Sequence, residues 1–282
     1  MNLPNPLYKY CDGRGIDILL HARLKVTPFN QFNDPFELAP RMRSEFKLED
    51  AQAMMRDPEY QRDLYKITVS LDQFRASFEQ FRDDILAVVA NDLANKLVAD
   101  YPKDAATFRE SHMEQISREF GLICLSQIPD DILMWSHYTN GHTGFVIGFD
   151  TTNEFFADPQ VHEVLYRNER VLMGHFGDLR DAAYRSDIIK ALITTKSSHW
   201  DYEREWRQLH MLAQCVTEPD TNRAGQRLYF KQLSKSAICE VIVGCRCNEE
   251  PIKEVLSATE FQHVRRRRAN IHDSEFQLVL GE

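Results

Sequence analysis

No apolar run in the 282 residues approaches the roughly 18 that a membrane-spanning helix needs. Met1–Tyr10 lacks a basic segment followed by an apolar one, so no secretory leader is expected. The six cysteines form no CxxC pair, and Cys245 and Cys247 lie too close together for the usual structural zinc spacing. Cys124 and Cys239 sit in apolar runs and read as small hydrophobes. The expectation is a cytoplasmic protein with reduced thiols and no membrane association. Glycine and proline number only 11 each, which excludes collagen-like and low-complexity chains. There is no GxSxG, Walker loop or GxGxxG. His137 and His142, and His199 with Glu203, fall short of HExxH or a three-ligand pattern, so no metal is expected.

Positive charge is also scarce, with 34 Lys and Arg against 43 Asp and Glu, for a net charge of −9. Coating a polyanion depends on neutralising phosphates, so general nucleic-acid binding is disfavoured. Arg265, Arg266, Arg267 and Arg268 form the one basic run. They read as a solvated strand or loop end, with phosphate contact to a nucleic acid as the weaker alternative.

What is present is ordinary globular composition, 43% hydrophobic and 27% charged, in a chain long enough for one large core. Leu7–Tyr10, Leu24–Thr27, Leu122–Ser126, Thr143–Phe149, Val161–Tyr166, Glu205–Leu212, Arg227–Lys231, Ile238–Gly244 and Glu275–Leu280 read as strands. Ile16–Leu24, Leu179–Thr194 and Glu249–Ala258 read as helices, and Asp130 as the cap of a helix through Trp135 and Tyr138. Phe74, Phe78, Phe81, Ile85 and Val88 predict a core-facing helix running to about Tyr101, with a second starting at Pro102 and ending at Gly121. These elements lack a regular βαβ rhythm. They predict a single α+β domain over residues 1–282, with a mixed or antiparallel sheet and a helical hairpin inserted at about 48–120.

The three tryptophans fall in two segments, Asp131–Asp150 and Lys196–Arg207. Were Glu203–Leu212 one strand, Glu203, Glu205 and Arg207 would share a face with Leu209 and Met211, with the charges at the rim of the core. That pattern reads equally as a structural Glu–Arg pair and as a cleft carboxylate tuned by the arginine.

The chain resembles the bacterial domain of unknown function 2971 family. The resemblance rests on LYKY near the start, LKVTPFNQFNDPFE, ICLSQIPDDILMWSHYTNGHTGFVIGFD, KSSHWDYEREWR and CEVIVGCRC, in that order. It implies a soluble bacterial protein, in some members near mobile or defence loci. The layout is also similar to the ADP-ribosyltransferase superfamily, with Lys9 or Tyr8 on a first strand, Ser126 on a middle strand and Glu205 on a later one. Lys9 stands where that superfamily usually has Arg or His, and Ser126 lacks the Ser-Thr-Ser context.

This second resemblance implies an enzyme using NAD as substrate, an ADP-ribosyltransferase or glycohydrolase, in antiphage defence or toxin action. Glu205 would be its catalytic carboxylate, beside Glu203 and tuned by Arg207. Lys9, Tyr8 and Ser126 would contact a small nucleotide ligand, with Asn33 and Asp34 in the cleft and Trp135 and Tyr138 as the stacking wall. Two other functions stand beside it. One is a non-enzymatic sensing or interaction module with a protein partner. The other is a metal-dependent nuclease built on Asp34, Glu37 and Glu203.

Overall fold

Short segments rich in β-branched and aromatic residues build one mixed sheet, seen in a computed structural model that describes residues 3–43, 45–70, 75–157, 161–174, 182–219 and 227–282. Its strands are β1 (Leu7–Cys11), β2 (Arg23–Pro28), β3 (Phe120–Ser126), β4 (Phe145–Phe149), β5 (Val161–Glu163), β6 (Glu205–Met211), β7 (Val216–Pro219), β8 (Arg227–Gln232), β9 (Ile238–Val243), β10 (Arg265–Ile271) and β11 (Leu278–Gly281). The order is β7-β8-β2-β3-β1-β4-β9-β10-β11, with β6 pairing β3 and β5. All pairs are antiparallel except β9 with β10. The class is α+β, as the irregular order of elements predicted. β7 lies in a stretch not read as a strand.

Period-two alternation packs both faces. Leu7, Ile147, Phe145 and Phe149 enter one core cluster with Leu24, Val26 and Ile123. Tyr8, Tyr10 and Val146 enter another with Trp135 and Ile242. The helix Ile132–Tyr138 is capped by Asp131, whose side chain accepts from Met134 N at 2.8 Å, and not by Asp130. Gly148 packs closely: a Cβ there would lie 3.2 Å from the Tyr8 ring, which crosses it from the paired strand, so a side chain would press that ring outward by a few tenths of an ångström.

The strand β3 positions the site. One edge pairs along its whole length with β6, from Glu205↔Ser126 to Met211↔Phe120. The other edge is shared: β2 takes Leu122 and Gly121, and β1 takes Ser126. Between them Ile123, Cys124 and Leu125 have no strand partner on that side among the described residues. Lys9 Nζ donates instead to the Cys124 carbonyl at 2.9 Å. A cavity opens where β1 and β2 part.

The sheet belongs to a unit formed by Met1–Ala39, Met113–Arg170 and Lys190–Glu282. A second unit, Pro40–His112 with Val171–Ile189, holds the helices Leu48–Arg56 and Pro58–Ser70 and most of Ala87–Glu119. Its core gathers Phe46, Ala51, Met55, Phe81, Leu86, Ala94 and Tyr101. The expected hairpin break at Pro102 is absent: Ala87–Glu119 is one helix. Tyr101, buried against Phe46 and donating to the Arg43 carbonyl at 2.9 Å, anchors it just before the proline. Phe74 of the expected apolar stripe lies outside the described residues. Phe78 and Phe81 pack against Tyr65, but Ile85 and Val88 are exposed. The cause is a π-helical turn at Phe81–Leu86. Its wider spacing shifts the phase of the helix, and Leu86, Ala90 and Ala94 become the inward face.

Leu86→Ala is expected to cost about 2–5 kcal/mol, and Val88→Ala no more than ~0.5 kcal/mol, in urea unfolding followed by circular dichroism. Equal costs would show that the face had not shifted.

Candidate functional site

Glu203 ends a 3-10 helix, Ser198–Glu203, and Glu205 begins β6. Arg204 between them is left-handed, with φ 45°, a conformation uncommon for any residue that carries a Cβ. This corrects the continuous strand from Glu203, yet the kink still brings both carboxylates to one place. The backbone is pinned on each side. Ser126 Oγ donates to the Glu203 carbonyl at 2.6 Å, Gln127 N–H donates to the Arg204 carbonyl at 3.0 Å, and Glu205 N–H donates to Tyr166 Oη at 2.8 Å.

Five charged side chains meet there: Glu37, Lys196, Glu203, Glu205 and Arg207, each no more than 8% exposed. Arg207 is fully buried, which corrects its expected place at the rim of the core. Its Nε and Nη2 each donate to Glu205 at 2.9 Å, Nη1 donates to the Ile193 carbonyl at 3.1 Å, and Nη2 also reaches Glu37 Oε1. Lys196 Nζ donates to Glu205 Oε2 at 3.0 Å and to Glu203 Oε2, and lies 3.8 Å from Glu37 Oε1. Tyr138 Oη donates to Glu203 Oε1 at 2.6 Å. A buried charge persists only when paired, and this set meets that condition mutually.

Three carboxylates face two cations, so full ionisation would leave a net negative charge in the cluster. The environments divide the carboxylates. Burial raises the proton affinity of all three. At Glu205 the charges of Arg207 and Lys196 more than offset burial and hold the carboxyl well below its usual range. At Glu37 burial outweighs Arg207 and Lys196, and at Glu203 it outweighs Lys196, with Glu205 adding repulsion at each, so both are pushed up. Burial opposes the Lys196 ammonium, but Glu205, Glu37 and Glu203 together raise its proton affinity. Burial, with the Glu203 charge, also raises the Tyr138 hydroxyl. The Cys124 thiol is raised by burial and by Glu205, which makes it a poor nucleophile.

The cluster borders a cavity of about 220 Å³. Of the residues singled out in the sequence, Tyr8, Lys9, Asn33, Ser126, Tyr138, Glu203 and Glu205 line it. Three do not. Arg207 lies beneath Glu205. Asp34 accepts from Trp200 Nε1 at 2.8 Å and from Phe36 N–H at 2.8 Å. Trp135, expected in a stacking wall, is wholly buried: its indole N–H donates to the Pro129 carbonyl at 2.8 Å, and its ring stacks on His142 and meets the edge of Tyr10. A fully buried indole has no face left for a ligand.

Lys196 and Gln31, which are not among those site residues, also line it, as does Glu37. Lys196 and Glu37 stand at the ends of the KSSHWDYEREWR and FNQFNDPFE segments, which was the available signal. Glu37 and Glu203 do come together, but an ammonium and a guanidinium sit at their oxygens and Asp34 is engaged elsewhere. Among the described residues no group of three or more His, Cys, Asp or Glu is arranged to hold a metal ion. The four arginines of β10 are divided. Arg267 reaches Glu240 and the Leu280 carbonyl, Arg268 the Gly244 carbonyl and Glu249, Arg266 the Leu256 carbonyl, and Arg265 lies near Glu240 and Glu282. No described helix is long and apolar enough to cross a membrane.

Removing Arg207 leaves buried carboxylates uncompensated, so Arg207→Met should cost about 3–5 kcal/mol in urea unfolding. A loss under ~1 kcal/mol would show that the guanidinium is dispensable. The pH dependence has a definite sign. Glu37 binds its proton more tightly in the folded chain than at its ordinary value of 4.5. The corresponding stabilisation is complete below that value and is lost as pH rises through the folded-state value. The cost of Glu37→Gln should therefore be largest near pH 4.5 and shrink toward neutrality, read from urea midpoints across that range. A cost that grows with pH would reverse the assignment.

Over residues 134–208 the chain is similar to the family described as "Protein of unknown function (DUF2971)". That stretch holds MWSHY, TGFVIGFD and KSSHWDYEREWR, while LYKY, FNQFNDPFE and CEVIVGCRC lie outside it. No curated protein and no solved structure matches the chain.

Proposed function

We propose that the protein cleaves the glycosidic bond of a small nucleotide, with NAD as the leading candidate, by ADP-ribosyl transfer or hydrolysis. One observation carries this reading: two carboxyl groups on one cavity, Glu203 and Glu205, are bridged by the Lys196 ammonium and have their proton affinities driven in opposite directions. Divergent affinities in neighbouring carboxyls are the usual basis of an acid–base division of labour.

In this mechanism Glu205 stays ionised and anchors Lys196 against Arg207. Glu203, with raised affinity, exchanges a proton near the reacting centre. As the ribosyl–nitrogen bond breaks, its electron pair passes to the departing ring nitrogen. Positive character grows on the ribosyl carbon, which carboxylates stabilise. The attacking water or hydroxyl gives its proton to Glu203 as its oxygen bonds that carbon. This shifts the central role from Glu205, which Arg207 and Lys196 hold ionised, to its neighbour, whose proton affinity is raised. The cavity suits one ring-sized group, so the rest of a dinucleotide would extend beyond it.

The test is nicotinamide release from NAD by the purified full chain. Turnover by the wild type, and a loss of about a hundredfold or more in Glu203→Gln, are expected. Absence of release with water and with candidate acceptors, or an unchanged rate in Glu203→Gln, overturns the reading. The full pairing of Glu205 favours one second reading, a sensing module: there a nucleotide binds saturably and is recovered intact.

A further inference from the structure

The polar groups lining the cavity fall into two sets. Ser126 Oγ is committed to the Glu203 carbonyl, Lys9 Nζ to the Cys124 carbonyl, and Tyr138 Oη to Glu203. Glu203 and Glu205 have both oxygens occupied. The second set comes from one segment, Phe29–Glu37. The side-chain amides of half-buried Gln31 and exposed Asn33 have no hydrogen-bond partner among the described residues, and Glu37 accepts there only through Oε1. The Glu37 side chain is 1% exposed, and among the described residues only its Oε1 takes a hydrogen bond. Leu38, directly after it, is left-handed with φ 54°, a conformation that is uncommon for leucine.

We propose that Gln31, Asn33 and Glu37 form the reading edge of this cavity and select a flat ring bearing an amide, in which a carbonyl acceptor lies beside an N–H donor. The inference rests on the cavity being the ligand site proposed above and adds what it binds. Each side-chain amide offers an acceptor and two donors, and a carboxyl group offers both roles when protonated, so together they match an edge that both gives and takes hydrogen bonds. The rest of the lining matches the ring. Tyr8, Tyr10, Phe32 and Tyr138 supply aromatic surface. The volume of about 220 Å³ is that of a single ring with a small substituent, since a cavity of roughly 150 Å³ holds benzene. Burial works against a charge on Glu37, and Arg207 and Lys196 act in the other direction; Glu205 and Glu203 also face it and favour its protonated form. A ligand carboxylate would add a further negative charge to this set and should be rejected.

The experiment titrates the full-length chain with nicotinamide, uracil, pyridine and nicotinic acid by calorimetry. Nicotinamide or uracil should bind saturably, with pyridine and nicotinic acid weaker by about tenfold or more. Gln31→Leu with Asn33→Leu should abolish that preference. Both positions lie on a loop segment that contributes no strand, and an unchanged thermal midpoint checks that the double variant is folded. Equal affinity for nicotinamide and pyridine, or an amide preference that survives in the folded double variant, overturns the proposal. So does a lack of saturable binding by either amide ring at millimolar concentration. The two readings fail separately. Amide-selective binding lost in the double variant, with NAD left intact, supports this inference while refuting the glycosidic activity. NAD cleavage with unaltered KM in the double variant does the opposite.

Discussion

A guanidinium with no access to water must find its counter-charges inside the fold, and Arg207 finds them in Glu205 and Glu37. Those carboxylates are then too crowded to stand alone, and Lys196 enters between them and Glu203. The result is a network in which each member is tolerable only because the others are present. Its stability role and its electrostatic role are inseparable. The same ion pairs that hold Glu205 ionised leave Glu37 and Glu203 with raised proton affinity.

The sheet supplies the place for this network. Because β3 pairs with β6 along one edge but divides its other edge between β1 and β2, its central residues face an opening instead of a neighbouring strand. Lys9 meets the carbonyl thereby left without a ladder partner. The loop after β2 supplies Gln31, Asn33 and Glu37, and the 3-10 turn before β6 supplies Glu203. The site therefore collects residues far apart in the chain at the point where strand pairing lapses. A lapse of this kind creates a concave, partly polar hollow without disrupting the apolar clusters on either face.

Much of this was legible beforehand, and the failures are specific. Short apolar and aromatic runs marked the strands around Leu7–Tyr10, Leu122–Ser126 and Ile238–Gly244. Helical spacing misplaced the inward face beyond Phe81, because a π-helical turn shifts the phase without any sequence mark as plain as glycine or proline. Trp135 looked like a ligand wall because it lies in a segment rich in polar and aromatic residues. Its indole N–H instead finds a backbone carbonyl and its ring a place against Tyr10 and His142. A large aromatic is equally suited to a pocket or a core, and only its surroundings decide which.

The sequence by itself determined what local sterics and composition control: the α+β class, most strand positions, and the closeness of Glu203, Glu205 and Arg207, only a few residues apart. Tertiary structure alone decided which charges meet. Arg207 and Glu37 are separated by 170 positions, and nothing in their spacing announces the contact. Nor does local sequence fix a proton affinity, because burial and neighbouring charge act through space. Glu203 and Glu205 are the same residue type two positions apart, yet Arg207 stands against one and Tyr138 against the other. The physical reason is that covalent neighbours set backbone geometry, whereas the charge state of a buried group is set by whatever the completed fold brings beside it.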